Sequence, residues 1–367
     1  MSSLDKRVSI AIQQTIIPDY RMGLFRLLRE HWGDQFQIYA GEADFGRSPV
    51  STSDAWKCFQ RINNVYLFGH RFLWQVGSLR ALLSADVTVL NANMRVLSGV
   101  FVQGIRKLIG RPTVLWGHVQ GQNAFASILR GLYLRSCDGF IAYTESQAEL
   151  LRERYPWLKV WVAANSCVSS SDCVPVIAES RELNSFLYVG RLVEAKKVRL
   201  LLDGFIQARE QSLISDSIRL VFVGDGAERP VLEARANEAG VSDVVDFKGH
   251  VSAVETLRSY YRTAICSVSS GYVGLSATQS FSFGVPMLIA DDEFHSPEIE
   301  ACKEGFNAMF FSSNNANSLA HKLGQMLNFK SEYLVRREVV AAWTQSNYSF
   351  EVMRDVFVDA VDGVLGK

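Results

Sequence analysis

The strongest constraint on the fold is an alternation of short β-branched or aromatic runs with longer amphipathic stretches, which occurs twice along the 367 residues. In the first half the predicted strands are Val8–Ile12, Phe36–Tyr39, Val87–Leu90, Thr113–Trp116, Gly139–Tyr143 and Val160–Ala163. In the second half they are Phe186–Val189, Leu220–Val223, Val244–Phe247, Ile265–Val268, Met287–Ala290 and Ala308–Phe311. Such alternation predicts an α/β protein with parallel sheets covered by helices on both faces.

The break between the two halves is a stretch without periodicity that gathers Ser, Asp and Pro. It predicts a linker at 168–183 between an N-terminal domain, 1–167, and a C-terminal domain, 184–345. The final segment, 346–367, is predicted to be a helix whose apolar face fits either domain. Two doubly wound, Rossmann-like domains joined in this way are expected to face each other across a cleft at the carboxyl ends of their strands.

The composition excludes several classes of protein. No run approaches the roughly 18 to 20 apolar residues that cross a bilayer, and the N-terminus lacks the order of a secretory signal. The expected location is therefore the cytoplasm. The six cysteines are scattered without a CxxC pair, which argues against a zinc knuckle or a redox motif.

The formal net charge of zero conceals an asymmetry. Residues 1–167 hold 19 Lys and Arg against 12 Asp and Glu, and the remainder has the opposite excess. Two helical patterns in the first half, Tyr20–Trp32 and Ser98–Arg111, combine arginines with apolar residues. Such helices are typical of a protein that docks on an anionic membrane, although the same apolar residues also suit the core of a domain.

The segment Tyr188–Lys197 carries the first candidate chemistry. A predicted strand ends at Val189, Gly190 permits a tight turn, and Arg191 and Lys196 flank the start of the next helix. A helix N-terminus attracts phosphate. The arginine guanidinium can donate two parallel hydrogen bonds to phosphate oxygens, and the lysine ammonium adds a mobile positive charge. The sequence therefore predicts a diphosphate site here, although two ordinary surface cations would give the same pattern.

Two later segments extend this site. Gly224-Asp225-Gly226 is a glycine turn after a strand, and it lacks the third glycine of the dinucleotide fingerprint, which disfavours NAD binding. In the segment 270–286, glycines including Gly274 let a ligand approach the backbone ahead of a short helix that starts near Ser276. Gln279, one turn into that helix, is a candidate contact for a ribose or a base.

These segments, in this order, resemble the C-terminal domain of family 4 retaining glycosyltransferases of the GT-B fold. The matching motifs cover about residues 184–330. The first half of the chain resembles the family only weakly. These motifs are Gly190-Arg191-Leu192 with Lys196, Gly224-Asp225-Gly226, Phe247-Lys248-Gly249-His250-Val251, Gly284-Val285-Pro286, Pro297-Glu298 and Glu304-Gly305.

The resemblance assigns roles to individual residues. It implies that Arg191 and Lys196 hold the donor diphosphate, that the stretch near Val251 meets the nucleotide base, and that His118 lies beside the donor sugar. It also implies that the sugar and phosphate are contacted by the backbone amides of Gly274, Leu275 and Ser276.

The sequence departs from the family at three places. The family carries two glutamates eight residues apart, where this chain has Gly271 and Gln279, and a Gly-Gly loop where this chain has Gln13-Gln14. The missing first glutamate puts the identity of the donor in question. Pro18-Asp19-Tyr20-Arg21 resembles the start of bacterial surface-polysaccharide members, which favours a divergent subgroup.

The predicted function is transfer of a sugar from a nucleotide-diphosphate donor to a saccharide or lipid-linked saccharide in bacterial polysaccharide biosynthesis. Retention of configuration follows from the resemblance. No DxD motif is present, so we expect a metal-independent reaction without a further cofactor, and no nucleic-acid partner. A catalytically silent sugar-nucleotide-binding module and a sugar-nucleotide epimerase of the GT-B fold stay open as alternatives.

Overall fold

The computed structural model describes residues 8–45, 47–118 and 124–366. The chain divides into two compact units. The first consists of Met1–Asn165 together with Phe350–Lys367, and the second is Ser166–Ser349.

The first unit is built on a parallel sheet. Its strands, with those of two short hairpins, are β1 (Ile10–Gln14), β2 (Phe36–Ala40), β3 (Ala43–Asp44), β4 (Arg47–Val50), β5 (Gln60–Arg61), β6 (Asn63–Leu67), β7 (Phe72–Val76), β8 (Val87–Asn91), β9 (Thr113–Trp116), β10 (Gly139–Ala142) and β11 (Lys159–Val162). Within the described residues the parallel sheet has the order β11-β10-β9-β8-β1-β2-β5, while β3–β4 and β6–β7 are antiparallel hairpins. The central strands read as almost continuous apolar runs because helices cover both faces of the sheet.

The helices of this unit each bury apolar residues in the core beside the sheet. They are α1 (Met22–Trp32), α2 (Leu79–Ser84), α3 (Leu97–Leu108), α4 (Ala124–Arg135) and α5 (Glu145–Arg154). The fully buried Leu24 and Leu28 of α1 are one helical turn apart and belong to the core. Trp116 at the end of β9 packs edge-on against Phe25 of that helix.

The second unit holds a parallel sheet of its own. Its elements are β12 (Ser185–Val189), α6 (Val198–Glu210), β13 (Arg219–Val223), α7 (Arg229–Glu238), β14 (Val245–Phe247), α8 (Val254–Thr263), β15 (Ala264–Ser269), α9 (Ser276–Ser282), β16 (Met287–Ala290), β17 (Ala308–Phe311), α10 (Ala316–Asn328), α11 (Lys330–Val335) and α12 (Arg337–Asn347). The strand order is β14-β13-β12-β15-β16-β17, so the direction of winding reverses between β12 and β15. In sheets of this kind that reversal leaves a crevice at the carboxyl ends of the strands, where ligands bind.

The last helix, α13 (Phe350–Leu365), belongs to the first unit, although it follows the second in the chain. It packs against α1 and β10, and its Phe357 meets Trp116 edge-on. No helix among the described residues is long and apolar enough to span a membrane.

The predicted α/β class with two parallel sheets is confirmed. All twelve strands predicted from the sequence are present, with ends within two residues of those expected. The hairpins β3–β4 and β6–β7 and the two-residue strand β5 were not predicted, because these short segments carry no long apolar run.

The two basic helical patterns differ from what a membrane-docking helix requires. On α1 the apolar residues face the core, and Arg21 just before it is buried. Near the end of α3, Arg106 is fully buried and donates to the carbonyls of Leu82, Ala85 and Pro112. Burial lowers the pKa of Arg106 to about 10. These two arginines are therefore part of the folded interior and are not available to a lipid surface.

Candidate functional site

The candidate site in the second unit lies at the carboxyl ends of β12, β13, β15 and β16. Four connections meet there, and they comprise residues 190–197, 224–228, 270–276 and 291–298. This is the edge of the sheet at which the winding reverses.

The first two connections interlock through their backbones. The amide of Gly190 donates to the Val223 carbonyl, and the amide of Leu192 donates to the Asp225 carbonyl. Gly224 has φ +142°, and a Cβ on it would lie 1.8 Å from the Gly190 carbonyl oxygen. A glycine is therefore required at position 224, because any side chain there would separate the two loops.

Lys196 is the cation that the structure places most firmly in this site. Its Nζ donates to the Tyr272 carbonyl at 2.8 Å and lies 3.4 Å from the centroid of the Tyr272 ring. Burial, together with the neighbouring charge of Arg191, lowers the pKa of Lys196 to about 8, against the opposing effect of the buried Glu298 carboxylate. Among the described residues no carboxylate lies within ion-pair distance of this ammonium. The site therefore holds a partly buried positive charge without a direct counter-ion.

Arg191 lies on the same connection, exposed to solvent. Its backbone carbonyl accepts a hydrogen bond from the Tyr188 hydroxyl at 2.8 Å, which fixes the turn that carries it. The guanidinium therefore extends from a fixed backbone turn close to Lys196. Two neighbouring cations of this kind suit an oxygen-rich anion such as a diphosphate.

The connection after β15 packs directly on the turn that carries Lys196. The Ser270 hydroxyl lies within hydrogen-bond distance of the Lys196 and Lys197 carbonyls, at 3.2 and 2.9 Å. A Cβ on Gly271 would lie 2.8 Å from the Ala195 carbonyl oxygen and 2.8 Å from the Lys196 carbonyl carbon. At Gly271, where the sequence resemblance places a glutamate in family 4 members, this backbone leaves no room for a side chain.

The same connection is also tied to the segment after β16. The backbone amide of Val273 donates to Nδ1 of His295, and the amide of Ser296 donates to the Val273 carbonyl. A Cβ on Gly274 would be 3.8 Å from both Lys196 Nζ and Ser296 Oγ. Sequence reasoning missed Tyr272 and His295, since neither belongs to a recognisable motif, and only their proximity to Lys196 and Val273 reveals them.

The remaining predicted residues of this unit lie around the same edge. Leu275 and Ser276 stand at the start of α9, and Gln279 is half-buried one turn later. Val251 is half-buried against the core beyond Gly249, whose carbonyl accepts from the Gly224 amide. The structure thus brings Gly190, Arg191, Lys196 and Gly274 together around the turn, with the other predicted residues on adjoining segments.

The acidic run Asp291-Asp292-Glu293 has structural partners. Asp291 accepts a hydrogen bond from the Ser313 amide, which holds the pKa of that carboxyl below its usual value, and Glu293 pairs with Lys197. Within the described ranges there is no group of three His, Cys, Asp or Glu side chains arranged to hold a metal ion.

In the first unit, His118 follows β9 at the carboxyl edge of the other sheet. Its ring centroid is 4.8 Å from that of Tyr143, and the Tyr143 hydroxyl accepts a hydrogen bond from Arg21. Part of His118 is exposed, yet the surrounding groups remove enough water to lower its pKa, and the charge of Arg21 lowers it further. A cavity of about 540 Å³ opens beside this cluster.

Residues 175–338 match the family model described as glycosyl transferases group 1. A stretch of 153 residues is 28% identical to the UDP-N-acetylglucosamine–peptide N-acetylglucosaminyltransferase GtfA subunit of Streptococcus gordonii, covering 41% of this chain. The matched region spans 29% of the length of that relative.

Solved structures match over nearly the whole chain. The lipopolysaccharide outer core galactosyltransferase WaaB in its apo form superposes with a TM-score of 0.70 at 17% identity, covering 97% of this chain and 99% of that one. Anabaena HepE in complex with UDP has a TM-score of 0.71 at 12% identity, with 97% and 100% coverage. A glycosyltransferase from Rickettsia africae has a TM-score of 0.72 at 12% identity, with 98% and 99% coverage.

Identities this low establish the fold and leave the substrates open. The chain shares the GT-B fold with these solved structures, and the match to the glycosyl transferases group 1 model covers residues 175–338, less than half of the chain.

Proposed function

We propose that this protein is a glycosyltransferase that moves a sugar from a nucleotide-diphosphate donor to a saccharide or lipid-linked saccharide acceptor in bacterial polysaccharide biosynthesis, with retention of configuration. The observation that carries the proposal is Lys196, a half-buried ammonium at the reversal of the second sheet, for which the described part of the chain offers no direct counter-ion. A diphosphate supplies the missing negative charge.

The chemistry required of this site is stabilisation of a leaving nucleoside diphosphate. As the bond between sugar and phosphate breaks, negative charge builds up on the phosphate oxygens. Arg191 donates parallel N–H groups to them, and Lys196 adds a point charge from a position with reduced solvent. Both groups are in place before the reaction, so little reorganisation accompanies the charge transfer.

The other predicted residues receive roles around the diphosphate. The amides of Gly274, Leu275 and Ser276 contact the sugar and phosphate, Gln279 offers an amide to the ribose or base, and Val251 lies on the side of the base. The histidine of the first unit, His118, contacts sugar hydroxyls as a neutral imidazole, which agrees with its lowered pKa.

We propose a uridine nucleotide as the donor to test first. The Streptococcus relative is named for transfer from UDP-N-acetylglucosamine, and the HepE structure contains UDP. The reaction is proposed to need no metal, because Asp291 and Glu293 already bind Ser313 and Lys197, and the two cations perform the neutralisation.

Contact with an anionic membrane is proposed through α4. Ile128 and Leu132 are 66% and 61% exposed one turn apart on this helix. Arg135, a further turn on, is exposed and stacks 5.0 Å from the centre of the exposed Trp157 ring. An exposed face that combines aliphatic residues, tryptophan and arginine suits the interface of an anionic leaflet. The protein would bind a lipid-linked acceptor at that surface.

The experiment is a screen of UDP, GDP, dTDP and ADP by thermal shift, followed by turnover assays with the sugar nucleotides of the base that binds. We expect stabilisation by UDP, and consumption of a UDP-sugar that continues in EDTA. Binding without turnover in any acceptor mixture would identify a silent module, and conversion of the sugar nucleotide without an acceptor would identify an epimerase. Loss of activity in EDTA with rescue by magnesium or manganese would refute metal independence.

A further inference from the structure

The run 293–296, which follows β16, borders the proposed phosphate site on one side. Strands β12, β15 and β16 are neighbours in the sheet, so their connections lie side by side at its carboxyl edge. Glu293 pairs with Lys197, and the Ser296 amide donates to the Val273 carbonyl. Both ends of this short run are therefore fixed against the turn and the loop that form the site.

Ser296 has a hydroxyl group that the fold does not use. It is the N-cap residue of the 3₁₀ helix Pro297–Ala301, a position where a serine hydroxyl commonly accepts from a backbone amide, yet its side chain makes no capping bond. Nor does this hydroxyl bond to any other residue that the structure describes. Its Oγ is 3.8 Å from the position that a Cβ on Gly274 would take. The hydroxyl is therefore available to a ligand that lies over Gly274.

The space over Gly274 is bordered by two polar groups. Lys196 Nζ lies 3.8 Å from the same Cβ position as Ser296 Oγ, and no further described atom outside the neighbouring residues of the chain lies within 4 Å of it. The φ angle of Gly274 is outside the left-handed region, so its conformation does not require a glycine. An ammonium and a hydroxyl that border one open space suit a ligand rich in oxygen atoms.

Phe294 supplies an aromatic ring beside this space. It is 85% exposed, although Glu293 and His295 on either side of it are held by contacts with the neighbouring connections. Because a single residue separates Phe294 from Ser296, the ring is within reach of a ligand bound over Gly274. A phenyl ring that stands in water on a fixed backbone covers the C–H face of a sugar at a small cost in entropy.

From these observations we propose that Phe294 and Ser296 bind the transferred sugar of the donor, the ring against the C–H face of a pyranose and the hydroxyl against one of its oxygens. This inference rests on the proposed function, in which Lys196 holds the diphosphate and the base lies near Val251. Val251 follows β14 and the run 293–296 follows β16, on opposite sides of β12 in the sheet. The nucleoside and the sugar are attached to opposite ends of the diphosphate, so a base near Val251 directs the sugar toward Phe294 and Ser296.

The test compares calorimetric binding of UDP with that of UDP-glucose, UDP-galactose and UDP-N-acetylglucosamine to the full chain. Phe294→Ala and Ser296→Ala should each weaken binding of at least one UDP-sugar fivefold or more and leave UDP within twofold, because only a sugar contact is removed. Gly274→Ala should weaken every UDP-sugar that the wild type binds at least tenfold, since its methyl group occupies the open space. None of the three variants should unfold at a lower denaturant concentration than the wild type, because none removes a contact of the fold.

Phe329→Ala, at an exposed phenylalanine between α10 and α11, is the matched control and should bind all four ligands as the wild type does. Helix α10 begins at the carboxyl edge of the sheet and runs to the other edge, so Phe329 is remote from the site. Unchanged affinity for all three UDP-sugars in Phe294→Ala or in Ser296→Ala would overturn the proposal. An equal loss of UDP binding would also overturn it, since it indicates a phosphate contact or a displaced loop.

The two proposals fail separately. A protein whose UDP-sugar binding depends on Phe294 and Ser296 but which consumes no sugar nucleotide would contradict the proposed function and keep the sugar site. A protein that consumes a UDP-sugar with unchanged KM and kcat in Phe294→Ala and Ser296→Ala would retain the function and lose the sugar site.

Discussion

At the scale of single residues, Lys196 shows how burial turns an ordinary surface residue type into a candidate binding group. A lysine in solution keeps its own hydration, whereas this ammonium has exchanged part of its water for the carbonyl and ring of Tyr272. Its pKa of about 8 reflects the free-energy cost of removing that water from the charged form. An anion that replaces the lost solvation therefore gains more here than at an exposed lysine.

The first prediction concerns the cationic pair. Lys196→Ala and Arg191→Ala should each weaken binding of UDP by about 1.5–3 kcal/mol, roughly 10- to 150-fold, because each removes a charge-assisted contact. Uridine, which lacks the phosphates, should bind almost unchanged. Calorimetric titration measures both ligands, with Lys322→Ala on α10 as the control. Unchanged UDP affinity in both single variants would contradict the assignment.

The second prediction is the pH dependence of the same contact. The lowered pKa means that the free protein loses the Lys196 proton as pH rises through about 8, whereas bound diphosphate holds the proton on. UDP affinity should thus fall about tenfold between pH 7 and 9, with proton uptake on binding. Lys196→Arg should flatten the profile, because a guanidinium stays charged. A profile equally steep in Lys196→Arg would exclude Lys196 as the titrating group.

The third prediction concerns His118. His118→Ala should lower turnover while UDP affinity stays within a few-fold of the wild type, since the histidine belongs to the first unit and the diphosphate contacts belong to the second. Steady-state kinetics at saturating donor and acceptor measure the first effect and calorimetry the second. His321→Ala, at an exposed residue of α10, is the control. Wild-type turnover in His118→Ala would assign the residue a structural role.

At the scale of elements, the connection between β15 and α9 packs onto the turn that carries Lys196. Ser270 and Gly271 pack on the turn at Lys196, and Val273 is held by His295. A glutamate at position 271 would collide with the backbone that places Lys196. This backbone therefore requires a glycine at position 271, and the cation beside it is held by Tyr272.

The fourth prediction tests that close approach. Gly271→Ala should destabilise the fold by about 1–3 kcal/mol and weaken UDP binding, because its Cβ forces the Lys196 turn to move. Gly104→Ala on α3, where no atom lies within 4 Å of the added Cβ, is the matched control and should stabilise by up to about 1 kcal/mol. Denaturant unfolding and calorimetry provide the two readouts. A stable Gly271→Ala protein with normal UDP affinity would show that the loops can separate without consequence.

At the scale of the whole molecule, the charge is divided between the two halves of the chain, with the positive excess in residues 1–167. The buried arginines Arg21 and Arg106 account for part of it, and exposed arginines such as Arg135 on α4 account for another part. Only the exposed fraction can act on a distant surface, so long-range attraction should be moderate and sensitive to salt.

The fifth prediction is peripheral binding to anionic vesicles. The wild type should float with vesicles rich in phosphatidylserine at low salt and dissociate by about 0.5 M salt, because screening shortens the range of attraction. Leu132→Asp should abolish flotation, whereas Val339→Asp, at an exposed apolar residue of α12, should leave it unchanged. Absence of flotation at low salt would refute the membrane proposal and favour a soluble acceptor.

The sequence by itself determined the two parallel sheets, the strand positions and the order of the loops that carry chemistry. Periodicity and glycine turns are local properties of the chain. A parallel sheet is buried on both faces, so each of its strands appears in the sequence as an apolar run. The cationic loop at Arg191 and Lys196 was visible for the same reason, since a strand, a glycine and a helix start lie next to one another in the chain.

Only the tertiary structure decided which charges are buried and what faces them. Arg21 and Arg106 look like surface residues of basic helices, yet the packing of α1 and α3 places both in the interior. Tyr272 reaches Lys196, and His295 reaches Val273, across connections separated by 76 and 22 residues. Contacts of that range follow from the order of strands in a sheet, which no local pattern encodes, and they set the solvation and pKa of the groups that would bind the substrate.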